Sequence, residues 1–93
     1  LCSRNEFVLS RQLLRSGTSV GAMLKESEHA QSKSDFINKL SIALKEANEA
    51  EYWILLLHET EYISGIEYRS IVKDCQEIVR LLIAIIKTSK QNI

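Results

Sequence analysis

Ninety-three residues are enough for one small domain and too few for two independent cores, so the chain is read as a single helical-bundle domain over residues 1–93. An apolar content of 45% with 26% charged residues excludes intrinsic disorder, and 12 basic against 12 acidic side chains leave no overall field toward nucleic acid or an anionic membrane. The longest apolar run, Leu81 to Ile86, falls far short of the ~18 residues that suggest a membrane span, the start carries no signal peptide, and Cys2 and Cys75 form no C-x-x-C pair, which together point to a reduced, cytoplasmic protein without disulfide, metal or cofactor.

With no proline and three glycines, little in the chain stops a helix. Leu1 to Phe7 begin without methionine and read as the frayed end of an earlier element and its turn, as though a helix were missing. Leu9, Leu13, Gly17, Val20 and Leu24 then recur at helical spacing, which favours a helix over about 8–30 running through Gly17 and Gly21 rather than a loop between them. Two glycines four apart on an apolar face predict close approach of a neighbouring backbone, offsetting part of the roughly 1 kcal/mol that each costs in helix propensity. Ser32 and Asp35 offer the N-terminal cap of a second helix, about 33–60. Its seam, Phe36, Leu40, Ala43, Ala47, Ala50, Ile54 and Leu57, keeps a coiled-coil spacing and predicts packing against other helices. After the turn at Ser64-Gly65, Ser64 and Glu67 form a capping box, with Ile63 and Tyr68 placed for the accompanying hydrophobic staple. The last helix, about 65–89, carries Ile71, Cys75, Ile78, Leu82 and Ile85 as one apolar stripe and runs antiparallel to the second.

Ile54 to Leu57 and Leu81 to Ile86 are apolar all round, whereas a three-helix monomer buries one side of each. A missing helix, a partner subunit, or both would cover the surplus, so the chain is expected to form a homo-oligomer. Trp53, Leu56 and Ile83, with Gly17 and Gly21, are the candidate residues for helix packing or subunit contact.

Leu13-Leu14-Arg15-Ser16-Gly17-Thr18-Ser19-Val20-Gly21-Ala22, then Ser32-Lys33-Ser34-Asp35-Phe36, then Leu44-Lys45-Glu46-Ala47 with Glu51-Tyr52-Trp53, resemble the proteins encoded in intervening sequences of bacterial 23S ribosomal RNA genes. The likeness runs from about Phe7 to Ile86. It implies an all-α, antiparallel up-and-down four-helix bundle whose first helix precedes Leu1, so that three long helices are visible here. It also implies assembly into a ring-like homopentamer with no established biochemical activity. The accessory proteins of diversity-generating retroelements look like the same fold, and that analogy makes RNA or DNA a candidate partner. One departure stands out: the family usually shows Gly-Ala-Asn-Ile where this chain reads Gly21-Ala22-Met23-Leu24, so a polar contact at Met23 does not carry over.

In the antiparallel arrangement one end collects Lys25, Lys33, Lys39, Arg80, Lys87 and Lys90, partly neutralised by Glu26, Glu28, Asp35 and Glu77. The other carries Glu46, Glu49, Glu51, Glu59 and Glu61 facing Arg4, Arg11 and Arg15. Lys25, Lys33, Lys39, Lys87, Lys90 and Arg15 are therefore the candidate nucleic-acid contacts, against the plainer reading of solvated faces and complementary neighbours. Arg15, Ser16 and Ser19 fit ligand binding and helix stitching equally. Enzyme patterns are incomplete. Glu26-x-x-His29 is half of a di-metal helix motif without its second copy, and His58-Glu59 lacks the distal histidine of H-E-x-x-H and is read as surface. Gly17 to Gly21 lack the Lys-Ser/Thr of a phosphate loop, and Cys75 lies on an apolar stripe where packing outranks nucleophilic chemistry. Tyr52 and Trp53 could stack on bases, though core or subunit interface is the plainer role. The expected function is that of a non-enzymatic, oligomeric, nucleic-acid-associated protein; the alternative is a scaffold whose partner is another protein.

Overall fold

The computed structural model describes residues 4–91, and these form three long helices: α1, Arg4–Glu28, α2, Lys33–Glu59, and α3, Gly65–Gln91. Among the described residues there is no strand. The chain is helical from Arg4, so the frayed turn expected up to Phe7 is replaced over 4–7 by the first turn of α1; Leu1 to Ser3 lie outside the described residues. α1 runs through Gly17 and Gly21 without interruption, because its leucines, arginines and glutamates favour helix and nothing forces a turn.

The turns explain the helix ends. The Asp35 backbone N–H donates to Ser32 Oγ at 3.0 Å, capping α2. At α3 the capping box is reciprocal: Ser64 N–H donates to Glu67 Oε1 at 2.8 Å and Glu67 N–H to Ser64 Oγ at 3.1 Å. The Ser64 backbone N–H, then the Ser64 hydroxyl, hold the Glu67 carboxyl below its ordinary pKa. α2 ends in a Schellman motif, with Tyr62 N–H on Leu57 O at 2.9 Å and Glu61 N–H on His58 O at 3.0 Å. Glu61 occupies the left-handed position of that motif at φ 64°, where glycine is the unstrained choice.

α2 is the centre of the fold. Its expected seam is buried at Leu40, Ala43, Ala47, Ala50, Ile54 and Leu57, with Phe36 half-buried. Lys39 pairs with Glu26 and Arg15 with Glu46, so α1 and α2 run antiparallel. Ile86 packs beside Leu40 in the core while Cys75 Sγ donates to Ala47 O at 3.4 Å, so α3 is antiparallel to α2 as well. α1 and α3 both pack on α2, yet among the described residues no Cα of α1 comes within 8 Å of one in α3. The cross-section, 21 × 14 Å over a length of 49 Å, fits a V with α2 at its apex.

Candidate functional site

The opening of the V is an apolar groove to which all three helices contribute. Its floor is Ala47, Ala50 and Ile54 of α2; Gly17 and Val20 of α1 form one wall, and Ile71, Asp74, Cys75 and Ile78 of α3 form the other. They enclose about 250 Å³ of space lined almost wholly by apolar atoms. Of the α1 stripe read from the sequence, Gly17 and Val20 line this groove. Gly17 and Gly21 are not at a close helix contact within the chain, as the sequence suggested: a Cβ built on either would meet nothing within 4 Å. The reason is geometric at Gly17, which faces the gap between α1 and α3 rather than α2, and Gly21 is exposed as well.

The α3 stripe also divides in a way that its spacing conceals. Leu82 and Ile86 are buried against α2, and Val79 packs on the same cluster. Ile71, Ile78 and Ile85, expected on one buried stripe with Leu82, are 40%, 42% and 42% exposed. A stripe wide enough for two neighbours has one of them in place. Cys75 lies on the boundary, half-buried, its thiol pushed to a higher pKa by burial and then by Glu51 nearby. Cys2 lies outside the described residues. Trp53 and Leu56 are half-buried and Ile83 is exposed. The Trp53 indole N–H donates to Glu49 Oε1 at 3.2 Å, and Tyr52, itself exposed, lies edge-on to the Trp53 ring.

The candidate nucleic-acid residues separate into two places. Lys25 and Lys39 line a basin of about 560 Å³ at the α1–α2 turn with Glu26, His29, Gln31, Ser32 and Asp35. Lys39 is tied to Glu26 at 3.5 Å. Lys33 begins α2 at the same end, and Lys87 and Lys90 lie exposed on the last turns of α3, which the packing of Ile86 brings alongside. Arg15 is elsewhere, joined to Glu46 at 3.4 Å, to Glu49, and to Gln12 at 3.1 Å. That geometry gives Arg15 the stitching role between α1 and α2; the Arg4 side chain is not among those described. Ser16 beside it is fully buried against α2 with its hydroxyl unpartnered, and Ser19 is half-buried.

His58 is not a surface residue. Its ring stacks on Tyr68 at 4.2 Å and 12°, because the α2–α3 turn folds the first turn of α3 over the last turn of α2. Tyr68 thus covers His58. Among the described residues no cluster of His, Cys, Asp or Glu could hold a metal, and no helix is long and apolar enough to cross a membrane. Met23 packs against the core cluster.

Asp74 escaped the sequence reading although it sits between Ile71 and Ile78 at helical spacing, so its place on the groove wall was legible. Ser16 was read with Arg15 and Ser19 as a ligand or stitching residue, and its burial with an unpartnered hydroxyl had no local signal.

Residues 1–84 match the family described as 23S rRNA-intervening sequence protein. A crystal structure from Bacteroides thetaiotaomicron, described as a protein with unknown function from the S23 ribosomal protein family, is 63% identical and superposes with a TM-score of 0.86. The match covers 90% of this chain and 75% of that one. Among curated proteins no relative is found.

Proposed function

The chain belongs to the 23S rRNA-intervening sequence protein family, and from that premise we propose that residues 1–93 are the three-helix part of an antiparallel four-helix bundle whose completed form is a non-catalytic, self-assembling cytoplasmic protein. The observation that carries this reading is the open groove of Ala47, Ala50 and Ile54 between Gly17 and Ile78. Closing it with an amphipathic helix would bury Ile71 and Ile78 at about 25 cal/mol per Å² of apolar surface. The relative of known structure has about a quarter of its length outside the match, of which this chain covers 75%. The resemblance implies that this helix lies on the N-terminal side. Leu14, Ile66 and Leu81, 71%, 74% and 63% exposed, remain for contacts between completed bundles, and the resemblance suggests five per ring.

The test is thermal unfolding and sedimentation of residues 1–93 with and without an amphipathic helix joined ahead of Leu1. The expected result is a higher Tm in one cooperative transition and a discrete oligomer. A joined chain no more stable than residues 1–93 overturns the proposal.

A second reading, association with RNA, is favoured by one observation. Lys25, Lys87 and Lys90 are exposed at one end of the molecule, outside the groove. A ring would repeat that cluster on one face and multiply a weak contact. Binding to ribosomal RNA fragments and to unrelated RNA across a salt series tests it: affinity should fall steeply with salt, and absence of binding at low salt overturns it.

A further inference from the structure

We infer that the helix taken up by the groove carries a basic side chain that meets Asp74, so that one carboxylate–cation pair fixes the register of an otherwise apolar contact. This rests on the fourth-helix reading above. Asp74 is the one charged residue lining the groove. Among the described residues it has no hydrogen-bond or ion-pair partner, unlike Glu46 and Glu49, held by Arg15, or Glu26, held by Lys39. Its place in the wall makes this consequential. Ile71, Asp74 and Ile78 stand three and four residues apart and share one helical row. A helix that covers Ile71 and Ile78 therefore passes beside Asp74, whose exposed carboxylate stands at the rim of the groove.

A rim carboxylate that loses part of its hydration in this way is disfavoured unless it is paired. An aliphatic or acidic residue on the incoming helix leaves that cost standing. Lysine or arginine removes it and adds its own stem to the apolar contact. Across the groove, Gly17 presents no side chain, and a Cβ there would have nothing within 4 Å. The incoming helix accordingly places large aliphatic residues toward α1 and its cation toward α3. The occupant is an amphipathic helix with an aliphatic seam flanked by a cation; an acidic helix is rejected at Asp74.

The experiment titrates residues 1–93 with two labelled amphipathic helical peptides that share one leucine–isoleucine seam and carry Arg or Glu at the flanking position. Anisotropy reports affinity and alkylation of Cys75, in a Cys2→Ser background, reports occupancy. The Arg peptide should bind about five- to tenfold more tightly at low salt. The preference should shrink at high salt and vanish in Asp74→Asn. If both peptides bind alike and both protect Cys75, the pairing is overturned while the groove reading stands. If neither binds nor protects, the groove reading falls, and the pairing with it.

Discussion

One face of α2 is closed at one end of the molecule and open at the other. Toward the α1–α2 turn, Leu40 and Ala43 lie beneath Val20, Leu82 and Ile86, with Met23, Phe36 and Val79 filling in around them. Further along the same seam, Ala50 and Ile54 lie under Gly17, Ile71 and Ile78, and the space stays open. Leucine, isoleucine and valine from both flanks close a core over α2 at the first place, whereas Gly17 and the alanines of the floor help to leave a groove at the second.

The sharpest way to break the comparison is to truncate at each end. Leu40→Ala, at 2% exposure, should cost about 2–5 kcal/mol in denaturant unfolding of residues 1–93. Ile78→Ala, at 42% exposure, should cost well under half of that, because its outer side has no protein to lose. Equal losses would mean that the groove is already filled. The next largest effect has the opposite sign. Gly17→Ala should stabilise residues 1–93 by about 1 kcal/mol through helix propensity, since the new methyl meets nothing within 4 Å. With the fourth helix in place that gain should shrink or reverse.

Outside the groove the effects diminish. Glu61→Gly should raise stability by about 1 kcal/mol, measured as an increase in Tm, by relieving the left-handed residue that ends α2. Arg15→Ala should lower it by about 0.2–1 kcal/mol, because its pairs with Glu46 and Glu49 are partly exposed, and the loss should fade with salt. Glu67 sharpens the contrast between an apolar end and a polar cap through pH. Its carboxyl has a lowered pKa in the folded state, so its contribution is present above the ordinary glutamate range and is lost as pH falls through and below about 4. Glu67→Gln should remove that part of the acid dependence in a Tm series across pH.

The seam of α2 and both serine caps were legible in sequence because each is written in a single local pattern: Phe36 to Leu57 at 4-3 spacing, Ser32 before Asp35, and Ser64 before Glu67. The sequence also indicated more apolar surface than three helices can bury, and Leu81 and Ile83 are indeed exposed. It did not show how the α3 stripe divides, because Ile71, Ile78 and Ile85 keep the same periodicity whether they face one neighbour or two. Nor did it show that Gly17 and Gly21 face open space; small residues mark a place for close approach without saying what approaches. The Arg15 contacts depend on the register of two helices 31 to 34 residues apart in sequence, which no local motif encodes. The stack of His58 on Tyr68 likewise depends on the Schellman turn at Glu61, a residue type that does not announce a left-handed conformation.

Alkylation of Cys75 tests most directly whether the groove is the place of a fourth helix, because its sulfur sits on the groove wall while donating to Ala47 O at 3.4 Å. In a Cys2→Ser background, residues 1–93 should react at a measurable rate at moderately alkaline pH, and the same chain with a helix joined ahead of Leu1 should react at least tenfold more slowly. Equal rates in the two chains would contradict the account.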